Sequence, residues 1–255
     1  MAWITAESEF SPDSYENSVV GIASELAQHD SGIHWHKMGQ LLFSQQGCMR
    51  ITLNESICFL PPARIAWIPS EVVHRVQIRG VVGYRSVYFD QKHYPTLAEN
   101  VEVLNATPLL REVLERIAFA DFAANWQHGP AKNILAVCLD EIQSAHRELT
   151  FLPLPKDRRL QCLSKMETPP PLHTLACYSG ASEKTISRIL SRETGLSYQQ
   201  WRQQWRLFKA IELLVEAHPL SEIASILEFS SDSAFATFFK NMTGKTPKAY
   251  ITHRD

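Results

Sequence analysis

One stretch of the 255-residue chain occurs twice. The first copy, residues 171–201, reads PLHTLACYSGASEKTISRILSRETGLSYQQW, and the second, residues 219–250, reads PLSEIASILEFSSDSAFATFFKNMTGKTPKAY. The apolar positions recur 48 residues further on, with Leu172, Leu175 and Ala176 matched by Leu220, Ile223 and Ala224. From Ser182 and Ser231 onward the offset is 49. Two units are too few for a solenoid, so the repeat indicates a duplicated functional module.

Each copy has the pattern of a helix-turn-helix. In the first copy, Gly180 supplies the positive φ that a tight turn needs, and Ser182 is a good N-cap for the helix that follows. Apolar residues at positions 186, 189 and 190 define the inward face of that helix. Its exposed face is short, polar and basic, as a helix that reads the major groove requires, and consists of Lys184, Ser187, Arg188 and Ser191. An ordinary surface helix is the competing interpretation.

The last hundred residues resemble the DNA-binding domain of the AraC/XylS family of transcription regulators. The resemblance is carried by Gly244-Lys-Thr246-Pro247-Lys-Ala-Tyr250 and by the long joining helix that starts near Trp201. It implies an all-α domain over residues 156–255, with helix-turn-helix motifs at about 172–193 and 220–243. The second motif departs from the family because Glu228 stands in its turn and Thr237 in its reading helix. We therefore expect this second motif mainly to position the DNA backbone.

The joining helix sets the spacing of the two motifs. From Tyr198 to Glu216 it is roughly 28 Å long, and successive major grooves lie about 34 Å apart on one face of a duplex. The two reading helices are therefore expected to enter neighbouring grooves. Arg188 is the first candidate for a base contact, bidentate to a guanine. The other predicted base-reading residues are Lys184, Ser187, Ser233 and Thr237, and the predicted phosphate contacts are Arg192, Arg202, Arg206 and Lys240.

Charge and composition also indicate two domains. Residues 156–255 hold 14 Lys and Arg against 10 Asp and Glu, whereas the preceding 155 hold 11 against 17. A basic half joined to an acidic half is typical of a nucleic-acid module attached to another domain. No apolar leader follows Met1, no run is long enough to span a membrane, and the five Cys form no zinc spacing. These features predict a cytoplasmic protein with reduced thiols and no membrane partner.

The N-terminal half is predicted to be β up to about residue 95. Short apolar or alternating runs are separated by Gly, Asn and Pro at roughly ten-residue intervals, which favours a sandwich or barrel. The runs are 41–44, 48–53, 57–60, 66–69, 72–78 and 81–89. His34-Trp-His36 with Gln40 and Gly47, followed by Pro69 and His74, resembles the two cupin motifs. The fold class predicted is therefore α+β, with a cupin-like jelly-roll barrel in a sensing domain over residues 1–155.

That resemblance implies that three histidines and an amide converge inside the barrel. Two interpretations stay open: the histidines hydrogen-bond within a polar pocket, or His34, His36 and His74 hold a divalent metal of the Zn, Fe, Ni or Cu type. No cofactor is expected to be required. The same region is the predicted site for a small organic effector. Its predicted lining is His34, His36, Gln40, His74 and Trp67, with Trp35, Phe43 and Tyr88 as further candidates.

Two helical stretches lie within residues 105–150, from Pro108 to Phe122 and from Pro130 to Ile142. The family resemblance implies that this pair packs on the barrel and forms a homodimer contact, and an intramolecular hairpin is the alternative. The protein is predicted to be a sequence-specific DNA-binding regulator and not an enzyme. The effector is expected to modulate it, and RNA polymerase is an expected partner if it activates transcription. One alternative is a metal-dependent cupin enzyme fused to a DNA-binding domain, against which the missing Glu counts. The other is a regulator that needs no ligand.

Overall fold

The computed structural model describes residues 10–62, 64–78, 80–148 and 151–252. The chain divides into two compact units, one formed by residues 1–53 and 60–150 and the other by residues 54–59 and 151–255. No pattern in the sequence assigned residues 54–59 to the C-terminal unit. The first nine residues, where an export leader would lie, are outside the described part of the chain.

The strands are short, as the spacing of the turn residues predicts. In chain order they are β1 (Val19–Leu26), β2 (His29–Asp30), β3 (Gly39–Ser44), β4 (Met49–Leu53), β5 (Ser56–Leu60), β6 (Arg64–Ile68), β7 (His74–Ile78), β8 (Val82–Phe89), β9 (Glu102–Asn105), β10 (Arg147–Glu148) and β11 (Phe151–Pro153). In the N-terminal unit, six of them form an antiparallel sheet in the order β1-β8-β3-β6-β9-β10. A second sheet of this unit contains β4, β7 and β2, also antiparallel.

The helices are α1 (Pro108–Ala118), α2 (Gly129–Ser144), α3 (Leu172–Ser179), α4 (Glu183–Thr194), α5 (Tyr198–Val215), α6 (Leu220–Ile226), α7 (Asp232–Thr243) and α8 (Pro247–Thr252). α1 ends at Ala118 rather than at the predicted Phe122, because its last turn closes on Phe119. Both helices of the N-terminal pair carry Pro in their first turn, where the missing N–H costs nothing. No helix within the described ranges is long and apolar enough to cross a membrane.

The six-stranded sheet has two different faces because side chains alternate along each strand. One face carries Leu41, Phe43, Trp67 and Phe89, and it forms the main core of this unit with apolar residues of α1 and α2. The opposite face carries Gln40 on β3, which is paired with Tyr88 on β8. The alternation therefore separates an apolar core from a face that bears polar side chains.

β1 lies at the edge of this sheet and was not among the runs that the sequence predicted. Its small residues hide the usual strand pattern, but they have a packing role. A Cβ on Gly21 would lie 2.1 Å from the Ile117 carbonyl oxygen of α1. Only glycine lets the end of α1 approach β1 so closely.

In the C-terminal unit, the joining helix α5 packs against α4, α6 and α8. The second half of α5 packs with α6 and α7 in one core that contains Leu214, Ile223, Phe235 and Phe239. Its first half carries Trp201 and Trp205, both fully buried. β5 pairs with β11 in the same unit, and the Phe59 ring stacks on that of Phe208 at 5.5 Å.

Candidate nucleic-acid interface and histidine cluster

The first helix-turn-helix consists of α3, a turn at Gly180 and α4. Gly180 has φ 61°, and the Ser182 hydroxyl accepts a hydrogen bond from the Thr185 N–H at 3.2 Å. Ile186, Ile189 and Leu190 are buried, as predicted. Their burial fixes the opposite face of α4 toward solvent, where Lys184 and Arg188 are exposed and Ser187 is half-buried.

The second helix-turn-helix, α6 to α7, repeats this geometry. The Ala181 N–H bonds to the Ala176 carbonyl at 3.2 Å, and 48 residues later the Phe229 N–H bonds to the Ala224 carbonyl at 2.8 Å. Glu228 occupies the place of Gly180 and has φ 56°. A left-handed backbone costs a residue with a Cβ about 1–2 kcal/mol. Glu228 therefore holds a conformation that glycine would adopt without strain.

The predicted contact residues of α7 are also on its solvent face. Ser233, Thr237 and Lys240 are exposed, and Ser231 caps the helix by accepting from the Ala234 N–H at 3.1 Å. Asp232 is exposed in the first turn. The polar face of α7 therefore carries a negative charge at its start and a cation only at Lys240, whereas α4 presents cations at every fourth residue: Lys184, Arg188 and Arg192.

Arg206, a predicted phosphate contact, makes contacts inside the unit that count against this prediction. Its guanidinium lies over the Phe229 ring at 3.7 Å and donates to the Leu227 carbonyl. Burial lowers the pKa of Arg206 to about 10, and its Nε has no hydrogen-bond partner within the described residues. The side chain packs the turn of the second motif against α5. Sequence alone could not show this, because the partners are a ring and a backbone carbonyl brought close by folding.

Arg202 is also engaged inside the unit. Its Nε donates to the Pro169 carbonyl at 2.7 Å, and its guanidinium pairs with the Glu228 carboxylate. The Arg202 side chain is 17% exposed, too little for a phosphate contact that leaves these bonds intact. Arg192 remains 62% exposed although it pairs with Glu193 at 2.6 Å. The exposed members of the predicted phosphate set are therefore Arg192 and Lys240.

In the N-terminal unit, the three predicted histidines come together. His34 and His74 form an antiparallel bridge, with N–H to carbonyl distances of 3.0 and 2.9 Å. Their ring centroids are 4.3 Å apart, and the His36 ring lies 5.1 Å from that of His74. His36 and His74 are buried and His34 is half-buried. Burial lowers the pKa of His36 and lowers that of His74 to about 4, so both rings are neutral at pH 7.

Backbone carbonyls fix the tautomer of all three rings. The Nδ1 atoms of His34 and His74 bond to the carbonyls of Gly32 and Val72 at 3.1 and 2.8 Å, and the His36 Nδ1 bonds to the Met38 carbonyl. A carbonyl only accepts, so each Nδ1 carries a proton, and the neutral rings of His36 and His74 keep their lone pairs on Nε2. The His74 Nε2 is buried and has no hydrogen-bond partner among the described residues.

This arrangement fits a divalent metal ion. One ligand atom from each histidine lies within 4.8 Å of the others, and tetrahedral zinc–nitrogen bonds of about 2.1 Å would hold them roughly 3.4 Å apart. The carbonyl bonds to Nδ1 are the outer contacts that orient histidine ligands. The orphaned His74 Nε2 is the observation that favours a metal most directly.

Gln40 connects the histidines to a set of hydroxyl groups. Its Oε1 lies 3.3 Å from the His36 Nε2, and its amide nitrogen lies 2.9 Å from the Ser86 Oγ and 3.1 Å from the Tyr88 Oη. The His36 Nε2 carries a lone pair and can only accept. A direct hydrogen bond to Gln40 therefore needs the Gln40 amide turned by 180°, so that its NH₂ donates to the ring and its oxygen accepts from the hydroxyls. Sequence reasoning missed Tyr84 and Ser86, although the alternation Tyr84-x-Ser86-x-Tyr88 could have indicated them.

Three predicted lining residues lie elsewhere. Trp67 and Phe43 are in the core between the six-stranded sheet and the helices, and the Trp67 Nε1 donates to the Ala98 carbonyl at 2.8 Å. They alternate with the residues of the Gln40 face, which explains why they point away. Trp35 is 54% exposed, since the neighbours on either side of it turn inward. Trp67 therefore lies on the core face of the sheet, whereas Tyr88 lies on the same face as Gln40.

A separate cleft of about 770 Å³ lies between α1 and α2. Its walls are mainly apolar, and its polar groups come from α1. The lining includes Val113, Phe119, Trp126, Ala131 and Ile134. Clefts of this size accommodate drug-sized ligands, so the unit contains an open cleft that the sequence did not indicate.

Two family models match the chain. An AraC-like ligand binding domain matches residues 16–126, and a helix-turn-helix domain matches residues 175–253. The first contains the histidine cluster, and the second contains both reading helices. The chain belongs to the AraC family of transcriptional regulators. The prediction of an AraC-type DNA-binding regulator with an N-terminal ligand-binding domain is thereby confirmed.

Individual relatives agree with this AraC-family assignment. The chain is 26% identical over 250 residues to the HTH-type transcriptional regulator NimR of Escherichia coli, which covers 95% of this chain and 90% of NimR. It is 29% identical over 105 residues to the regulator RipA of Corynebacterium glutamicum, covering 39% of this chain and 32% of RipA. That these relatives are named as regulators supports a regulatory rather than an enzymatic role.

Among solved structures, ToxT from Vibrio cholerae is similar at 10% identity with a TM-score of 0.37, covering 92% of this chain and 98% of ToxT. The DNA-binding domain of AdpA in complex with a target DNA is 27% identical with a TM-score of 0.32, covering 36% of this chain and 83% of that domain. Both TM-scores are too low to establish a shared overall fold.

Proposed function

We propose that this regulator reads DNA mainly through α4 and uses α7 to hold the backbone of the next major groove. The observation that carries the proposal is the exposed line of Lys184, Arg188 and Arg192 on a helix whose other face is fully buried. α5 spans 18 residues, or about 27 Å, so reading helices at its two ends can lie in successive grooves about 34 Å apart. Arg188 is the base-reading residue, bidentate to a guanine.

Selection of duplexes from a random-sequence library by the full chain tests this proposal. A recovered consensus with one strongly specified segment and one weakly specified segment, about one helical turn apart, is the expected result. Recovery of random sequence, or of two equally specified segments, would contradict it. Footprinting on DNA that flanks the coding region would then locate natural sites.

The effector site proposed is the polar face around Gln40, with His34, His36, His74 and Tyr88 beside it. A small organic molecule that bonds to this amide and these hydroxyls, and that binds one arrangement of the regulator more tightly, shifts its DNA affinity. The cleft between α1 and α2 is the competing location. Since polar groups dominate the first site and apolar groups the second, the two sites should select different molecules.

Calorimetry of the full chain against a broad metabolite panel tests the effector proposal. A ligand of the Gln40 face should lose at least tenfold in affinity in Gln40→Leu and keep it in Ala131→Trp, which fills the cleft instead. The reverse pattern would place the effector between α1 and α2. A panel with no binder would favour a regulator that needs no ligand.

A divalent metal at His34, His36 and His74 is a second candidate feature of this unit. The lone pairs fixed on Nε2 would bind it, and Gln40 stands where an acidic ligand would neutralise its charge. A bound ion would supply a Lewis acid. Stoichiometric metal in purified protein, lost in His34→Ala and kept in the exposed control His93→Ala, is the expected result. A metal content of the wild-type chain no higher than background would rule out both the proposed metal site and the metal-dependent enzyme alternative.

Homodimer formation through α1 and α2 is proposed from two exposed apolar side chains. Leu109 is 52% and Val137 is 39% exposed, each on one helix of the pair. A dimer in sedimentation that Leu109→Glu dissociates would support it, and a monomeric wild-type chain would contradict it. RNA polymerase is the further partner expected if the regulator activates transcription.

A further inference from the structure

The turn of the second helix-turn-helix is tied to the joining helix by one side chain. Arg202 of α5 binds the Pro169 carbonyl, just before α3, and the Glu228 carboxylate, in the turn between α6 and α7. One guanidinium therefore contacts both the segment before the first motif and the turn of the second motif. The Arg202 head is largely shielded from solvent, while the Glu228 side chain is 53% exposed.

The contact point is also the point of backbone strain. Glu228 has φ 56° at the position where the first motif has Gly180. Glycine would remove the strain but would offer no carboxylate to Arg202. Arg206 supports the same turn through the Leu227 carbonyl and the Phe229 ring. Arg202 and Arg206, one helical turn apart on α5, thus both hold the strained turn of the second motif.

We propose that Glu228 is a positioning residue: its carboxylate, held by Arg202, fixes the orientation of the second helix-turn-helix relative to the first. This inference rests on the proposed reading of two successive grooves. Binding of both motifs to one duplex gains affinity only when their spacing already matches the DNA. Loosening the turn should therefore weaken the binding of two-segment DNA without changing the contacts that either motif makes.

The test compares Glu228→Gly with Glu228→Gln and with Ala217→Gly. Ala217 also has positive φ, 62°, and replacing it with glycine relieves strain without removing the bridge. Gln keeps an oxygen that accepts from Arg202. The probes are a duplex selected by the wild-type chain and the same duplex with the weakly specified segment scrambled.

Glu228→Gly should lose about tenfold in affinity on the intact duplex and less than twofold on the scrambled one, with the same salt slope as the wild type. Glu228→Gln and Ala217→Gly should stay within threefold on both. Equal loss on both duplexes would overturn the proposal in favour of a general folding defect. A gain in affinity by both Glu228 variants would instead show that this carboxylate merely repels phosphate.

Amide hydrogen exchange gives a readout that does not depend on DNA. In Glu228→Gly, exchange should speed up in α6, the turn and α7 while α3 and α4 are unchanged, and Ala217→Gly should show no such increase. Unchanged exchange in the second motif would overturn the positioning role even if DNA binding fails. If the wild-type chain selects no DNA but Glu228→Gly shows this exchange pattern, the proposed groove reading would be contradicted. The positioning role of Glu228 would still be supported.

Discussion

Residue type and solvent exposure together decide which cations can contact DNA. The sequence shows six arginines and lysines at predicted DNA-contact positions, but it does not show which of them make contacts inside the folded unit. Arg202 and Arg206 bind the backbone carbonyls of Pro169 and Leu227, and a backbone carbonyl leaves no trace in a sequence pattern. Arg188 is exposed, as the helical period of its buried neighbours predicted.

Arg188→Ala should weaken binding to the preferred duplex by about 1–3 kcal/mol and relax the preference at one base pair. The physical reason is the loss of two parallel hydrogen bonds to one guanine. Titrations against duplexes varied at each position measure this effect, with the exposed residue of the other unit, Lys132, as the alanine control. Equal loss on every sequence would reassign Arg188 to a phosphate.

Arg206→Met should lower the free energy of unfolding of the C-terminal unit by about 1–3 kcal/mol, because a partly buried hydrogen bond and a cation–π contact are lost. The salt dependence of DNA binding should not change, since Arg206 displaces no counterion from a DNA phosphate. Urea denaturation and titrations at several salt concentrations measure the two quantities. A slope reduced by about one unit with unchanged stability would restore the phosphate assignment.

Elements with strong local signals could be predicted, and those defined by distant contacts could not. Both helix-turn-helix units follow from caps, turns and apolar spacing that lie within about twenty residues of sequence. β1 and β9 lack a clear alternating pattern, and their pairing partners are remote in the chain. The same holds for the effector site, where Trp67 has the right residue type but lies on the wrong face of its sheet.

Gly21→Ala should destabilise the N-terminal unit by about 1–3 kcal/mol, because its Cβ would overlap the Ile117 carbonyl of α1. Gly83→Ala is the matched control within the same sheet, since its Cβ would meet the Gln45 Cβ at 3.2 Å, a much smaller overlap than the 2.1 Å at Gly21. Thermal or urea unfolding compares the two variants. An equal effect of both substitutions would show that α1 does not depend on the close approach at β1.

At the scale of the whole molecule, the charge asymmetry and the internal repeat were enough to predict a nucleic-acid module joined to a second domain. What the ligand-binding unit recognises could not be predicted, because its polar face combines residues from β3, β8 and the segment before β3. The DNA-binding unit is different, since the length of α5 already constrains the spacing of the motifs.

Hydroxyl-radical footprinting of the full chain on a selected duplex tests the two-groove reading most directly. Two protected segments centred about ten base pairs apart on one face of the DNA are expected, and Arg188→Ala should weaken base preference only in the segment under α4. A single protected segment, or protection on opposite faces of the duplex, would contradict the reading of successive grooves by α4 and α7.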